Sequence, residues 1–163
     1  MQHKELKIIY KELALDELDK QQQELIQLAI AATNQAYAPY SEFFVGCALQ
    51  MNTGEIITGS NQENAAYPSG LCAERTAIYH AGHSHPNGVV NQIAIAANSN
   101  KWNTENPVIP CGACMQAMIE YERKQGSPIK LLLYGSDERI FELSGIKDLM
   151  PFQFELKVQS EVG

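Results

Sequence analysis

The stretch Leu71-Cys72-Ala73-Glu74-Arg75-Thr76-Ala77-Ile78-Tyr79-His80-Ala81 opens the half of the chain that decides the fold. Residues 72–81 read as a helix, broken by the segment from Gly82 to Gly88. Ile93-Ala94-Ile95-Ala96-Ala97 follows as a short buried strand. A polar loop with two prolines spans 98–110. Residues 111–124 read as a second helix, ended by Gly126-Ser127-Pro128. Lys130-Leu131-Leu132-Leu133-Tyr134 is a further buried strand. Strand-to-helix crossovers of this kind predict that the later strands run parallel.

Upstream, Phe44 to Met51, the turn Asn52-Thr53-Gly54 and the segment Glu55 to Ser60 read as a hairpin. Residues 61–71 form a loop. Asp19 is expected to cap a helix over 20–37, with Leu25, Leu28, Ala29 and Ala32 on one face. Ala38-Pro39-Tyr40-Ser41 ends it, because a residue before proline disfavours helix. Residues 1–19 are a mixed lead-in in which Leu6, Ile8 and Tyr10 alternate as in a short strand. Downstream, Arg139 to Leu143 and Phe154 to Val158 are strand candidates, with a short helix or turn after Gly145. The expected fold is α/β, a three-layer α/β/α sandwich around a mixed sheet of about five strands. Residues 1–19 are then a lead-in and 20–163 a single domain.

A chain of 163 residues with 45% hydrophobic content is long enough to bury a core without disulfides. The net charge of -7 argues against a nucleic-acid partner, since Arg123-Lys124 is the longest basic cluster. The N-terminal residues lack the apolar run of a secretion signal. No stretch approaches the roughly 18 apolar residues of a membrane span. The expectation is a cytoplasmic protein with neither a membrane nor a nucleic-acid partner. Its thiols would be reduced there and free for metal. Two disulfides among the four cysteines are the alternative.

Cys72 and the segment Pro110-Cys111-Gly112-Ala113-Cys114 carry the chemistry. Cys111 and Cys114, at i and i+3 in a first helical turn, bring two sulfurs toward one point. Exposed backbone N–H groups at a helix start favour thiolates. Cys72 opens the other helix in the same way. Three thiolates can hold one zinc ion per subunit and leave its fourth position open for water. Glu74 is placed to shuttle protons without ligating the metal. Three thiolates give a zinc site a net charge of about -1, which weakens its Lewis acidity. The guanidinium of Arg75 would offset that excess; its alternative reading is a solvated surface residue. A closed structural site remains open at this point, with Cys47, His80, His83 or His85 as fourth ligand. The segment His80-Ala81-Gly82-His83-Ser84-His85-Pro86 reads as a second metal site or as an exposed loop.

With these motifs in hand, the chain resembles the cytidine deaminases of the homotetrameric, zinc-dependent type. Asn34-Gln35-Ala36-Tyr37-Ala38-Pro39-Tyr40-Ser41-Glu42-Phe43 is similar to that family's opening motif. Asn61-Gln62-Glu63-Asn64-Ala65-Ala66-Tyr67-Pro68-Ser69-Gly70 leads into Cys72-Ala73-Glu74-Arg75 as its central motif does. Pro110-Cys111-Gly112-Ala113-Cys114-Met115-Gln116 resembles its second metal motif, and Leu149-Met150-Pro151-Phe152-Gln153-Phe154 its tail.

The resemblance implies hydrolytic deamination of cytidine, and of deoxycytidine, in pyrimidine salvage. It implies that Asn61 and Glu63 bind the ribose hydroxyls of a small-molecule nucleoside and that Phe43 packs against the pyrimidine. The Ala73 N–H would hold the base carbonyl. Tyr67 and Phe154 would belong to a homotetramer interface. Met115 departs from the pattern, which often has arginine there, and removes one positive charge near the site. A deaminase of another aminopyrimidine or of a nucleoside-like antibiotic is the alternative enzyme, and a structural zinc protein the alternative outside catalysis.

Overall fold

The computed structural model describes residues 1–156. Six strands form one sheet: β1 (Lys11–Ala14), β2 (Phe44–Met51), β3 (Ile56–Ser60), β4 (Val90–Asn98), β5 (Lys130–Tyr134) and β6 (Arg139–Leu143). Their order is β1-β6-β5-β4-β2-β3. Three helices flank it: α1 (Lys20–Ala32), α2 (Ala73–Ser84) and α3 (Gly112–Gln125).

Side-chain parity on the central strands separates the layers. Ile93 and Ile95 of β4 and Leu131 and Leu133 of β5 pack with Ala77 and Ile78 of α2 and Met118 of α3. The alternate residues Ala94, Ala96 and Leu132 pack with Leu25, Ile26 and Ala29 of α1. Alanine dominates the β4 surface under α1, and this lets the helix lie close to the sheet. The result is the expected three-layer α/β/α sandwich.

The sheet has one strand more than expected. Its sixth strand is β1, which begins directly after Tyr10 and so falls beyond Leu6, Ile8 and Tyr10, all of them exposed and outside any strand. Pairing with β6, in the register Lys11 to Glu142, determines where the strand forms. Alternation alone carries no information about that partner. The parallel expectation holds for β4 and β5, which α3 connects. It fails for β6, which turns back antiparallel to β5 through a short connection.

Asp19 caps α1 as expected: its Oδ1 accepts from Gln22 N at 2.8 Å, and the Gln22 side chain accepts from Asp19 N at 3.3 Å. The helix stops at Ala32 rather than 37. Tyr37 N instead donates to Asn61 O at 2.9 Å, drawing residues 36–37 into a bridge with the 61–63 segment. α2 runs through Gly82 to Ser84, where Gly82 faces Tyr121 of α3 so closely that a Cβ would meet the phenolic oxygen at 2.1 Å. Residues 154–156 are not in a strand, and the remainder of the strand candidate at 154–158 lies outside the described residues. Among the described residues, no helix is long and apolar enough to cross a membrane.

Candidate active site

Two helix starts meet at one edge of the α2/α3 layer. Cys72 is the residue before α2 and Cys111 the residue before α3, both with extended backbone. Cys114 lies within the first turn of α3 and is fully buried. A glycine brings α2 to this position. A Cβ at Gly59 of β3 would meet Ala77 N at 2.6 Å and Ala73 O at 2.7 Å, so only a bare backbone allows the first turn of α2 to seat on the sheet.

The three sulfurs lie within 4.8 Å of one another. Cys72 Sγ is 3.9 Å from Cys111 Sγ, and Cys111 Sγ is 3.5 Å from Cys114 Sγ. A tetrahedral zinc site with Zn–S bonds of about 2.3 Å needs sulfurs about 3.8 Å apart. The observed spacings bracket that distance, and the donor set is soft, so the residues fit a zinc ion. The sulfurs divide their protons unequally. A hydrogen bond with Cys114 brings the Cys72 thiol down to about 5 against the opposing effect of burial, with Arg75 and Cys111 adding to the fall. The same bond with Cys72 pushes Cys114 up, followed by burial and the charge of Glu74. Arg75 Nη2 lies 3.7 Å from Cys72 Sγ, and its Nε is buried with no partner among the described residues. Met115, half-buried, packs its side chain against the core below α3.

Glu74 is 5% exposed, the one acidic side chain buried to that degree among the described residues. Burial raises its pKa first, and the negative charge of Cys72 raises it further, against a backbone hydrogen bond that lowers it. Glu74 lines a cavity of about 510 Å³ together with Cys72, Cys111, Phe43, Asn61 and Glu63. A neighbouring cavity of about 500 Å³ shares Ser41, Asn61, Glu63 and Cys72 and extends to Tyr40, Tyr67 and Arg75.

The polar rim is held by its own loops. Asn61 Oδ1 accepts from Val45 N at 2.8 Å, and its Nδ2 donates to Phe43 O at 2.8 Å. Glu63 Oε2 accepts from Tyr40 N at 2.9 Å and Ser41 N at 3.3 Å. Burial works against these bonds, but the Ser41 and Tyr40 contacts hold the Glu63 carboxyl below its ordinary range. Ala73 is fully buried at the first position of α2. Tyr67 is strongly exposed at the mouth of the second cavity, its ring 6.1 Å from that of Tyr40. Phe154 is exposed and away from both cavities, its carbonyl accepting from Gln116 Nε2 at 3.1 Å.

The histidines do not gather. His80 and His83 are exposed on α2, and His85 Nε2 lies 3.2 Å from Glu55 Oε1. Among the described residues the three cysteines are the group that can hold a metal. Cys47 is a buried free thiol whose pKa burial raises, with Glu74 adding to the rise. The sequence reading missed the part of the cavity lining formed by Trp102, Val108 and Ile109. A tryptophan and two prolines inside a polar loop were the available signal.

Comparisons with known proteins point to one family. Residues 19–126 match the model of the cytidine and deoxycytidylate deaminase zinc-binding region. A cytidine deaminase of Halalkalibacterium halodurans is 48% identical over 98 residues, 60% of this chain and 70% of that protein. One from Sporosarcina psychrophila is 44% identical over 99 residues, 61% and 68% of the two chains. The crystal structure of cytidine deaminase from Burkholderia pseudomallei superposes with a TM-score of 0.70 at 38% identity, covering 80% of this chain and 97% of that one. That from Mycobacterium tuberculosis gives 0.63 at 30% identity, covering 85% and 100%.

Proposed function

The chain belongs to the cytidine and deoxycytidylate deaminase family, and we propose that its zinc-dependent hydrolysis of cytidine to uridine and ammonia runs on Glu74 as the proton carrier. The observation that carries this reading is the shared cavity: three sulfurs lie at zinc-binding distances, and two of them, Cys72 and Cys111, line the same space as the buried Glu74. Cys72, Cys111 and Cys114 would hold the ion. When bound, zinc supplies the Lewis acidity that brings the pKa of water toward neutrality.

Glu74 takes a proton from the attacking water and delivers it to N3 of the ring. The remaining proton, on the hydroxyl added at C4, then passes through Glu74 to the departing amine, so that the C4 carbonyl forms as the C–N bond breaks and ammonia leaves. Burial suits it to this work, because a carboxyl with a raised pKa holds a proton near neutral pH more readily than an exposed one. Arg75 donates toward Cys72 and offsets the thiolate charge.

Substrate binding follows from the rim. One oxygen of Glu63 is held by backbone N–H groups, and the other keeps acceptor capacity for ribose hydroxyls. Asn61 uses its carbonyl on Val45 of β2 and one N–H on Phe43 just before it, which leaves its second N–H for the same sugar. Phe43 packs against the pyrimidine, and the Ala73 N–H holds its carbonyl. In this reading residues 20–163 form the catalytic domain and deoxycytidine is also a substrate. The protein works in the cytoplasm, in pyrimidine salvage, as a homotetramer whose interface takes up the exposed Tyr67 and Phe154.

The test is incubation of purified protein with cytidine and with deoxycytidine, following loss of ultraviolet absorbance and measuring zinc on the same sample. Turnover with about one zinc per chain is expected. Zinc-loaded protein that deaminates neither nucleoside would sink the reading.

A further inference from the structure

The loop from Ser99 to Pro110 does more than connect β4 to α3. Ser99 Oγ donates to Glu42 O at 2.6 Å and accepts from Lys101 N and Trp102 N at 3.1 Å each. The indole Nε1 of Trp102 then donates to Ser41 O at 2.9 Å. Both bonds land on the turn that leads into Phe43. That turn contains a costly backbone: Glu42 has φ of 55°, a conformation a non-glycine residue adopts only when its surroundings enforce it. The loop therefore straps the mouth of the cavity from outside.

Trp102 is 53% exposed, an unusual state for a large indole anchored by its N–H. Its exposed surface is partly accounted for by the cavity, which it lines together with Val108, Ile109 and Phe43, with Glu74 and Cys72 also in the lining. It does not line the neighbouring cavity, where Tyr40 and Tyr67 stand. Its place is thus on the side that holds Cys111 and the proton carrier Glu74.

We infer that the indole of Trp102 is a wall of the nucleobase pocket, contacting the aminopyrimidine ring and setting how tightly a pyrimidine nucleoside is held. This rests on the reading of the cavity as a nucleoside site and adds to it a binding residue on the β4–α3 loop. Aromatic contact with a nucleobase contributes to both ground state and transition state, so losing it acts on KM more than on kcat.

Trp102 is the single tryptophan of the chain, so its emission reports on the site without ambiguity. The experiment titrates zinc-loaded protein with uridine, the reaction product, which is not consumed, while reading indole fluorescence. The same uridine series is run as a competitive inhibitor of cytidine deamination. The inference expects a saturable emission change whose midpoint matches the inhibition constant. Trp102→Ala should raise KM for cytidine about 5- to 100-fold with kcat much less affected. Trp102→Phe, which keeps an aromatic face and loses the bond to Ser41 O, should recover most of that loss.

Active enzyme whose emission ignores uridine, with KM unchanged in Trp102→Ala, overturns the inference and leaves the deaminase reading standing. Emission that responds to protein concentration and not to uridine places the indole against a second copy of the chain and also overturns it. Wild-type protein that does not deaminate cytidine overturns the underlying reading and the inference together.

Discussion

Arg75 is the residue on which the electrostatics of the site turn. Three thiolates over-neutralise a divalent zinc ion, and Met115 contributes no compensating charge from α3. The guanidinium 3.7 Å from Cys72 Sγ is the positive group the structure puts beside the cluster. Its removal is expected to lower zinc retention or activity by about 10- to 100-fold. The check is zinc content of Arg75→Ala after dialysis against graded chelator, alongside its cytidine rate. Retention and rate equal to wild type would reduce Arg75 to a surface residue. Sequence spacing placed Arg75 next to the ligands. It could not say which of its nitrogens reaches a sulfur, because that depends on the side-chain rotamer.

α2 carries Cys72 before its first turn and Glu74 within it, so the seating of this one helix sets the relation of ligand to proton carrier. Gly59 permits that seating. Gly59→Ala drives a methyl into backbone atoms of Ala73 and Ala77, which cannot rotate away as a side chain would. The expected outcome is a loss of about 1–3 kcal/mol of stability, together with a drop in rate larger than the unfolded fraction explains. Denaturant melts and kinetics on the same preparation separate the two. Normal kinetics in the folded fraction would mean that α2 absorbs the shift.

β1 is tied to the sheet differently. Glu142 of β6 accepts from Lys11 of β1 at 2.7 Å and lies 3.6 Å from Lys130. Burial opposes the carboxylate, but the Lys11 bond and the charges of Lys130 and Lys11 outweigh it and lower the Glu142 pKa. A lowered folded pKa stabilises fully above the unfolded value of about 4.3 and fades as pH falls through the folded value. Glu142→Gln should therefore cost about 1 kcal/mol at neutral pH and nothing at the acid end. Melts at several pH values check this, and an equal cost at all pH values would rule out charge as the cause.

Across the whole molecule, the metal is expected to couple the two helix starts into one folding unit. Chelation should lower Tm by about 10 °C or more, and added zinc should restore it, because the ion binds the folded arrangement and not the unfolded chain. A melt indifferent to chelator would contradict a zinc site at the α2/α3 edge. Much of this architecture was legible in the chain. The buried runs of β4 and β5, the Asp19 cap and the paired cysteine motifs each depend on residues close in sequence. What escaped depends on residues far apart. β1 forms where β6 accepts it, α2 continues past Gly82 because Tyr121 occupies the space of a side chain there, and Trp102 joins the cavity because Ser41 holds its indole.

The deciding comparison is Glu74→Gln against wild type, with cytidine turnover and zinc content measured on the same samples. The substitution keeps the size of the side chain and removes its ability to carry a proton. Zinc content should be unchanged while turnover falls about 100- to 10,000-fold. Deamination of cytidine by Glu74→Gln at the wild-type rate would contradict the mechanism.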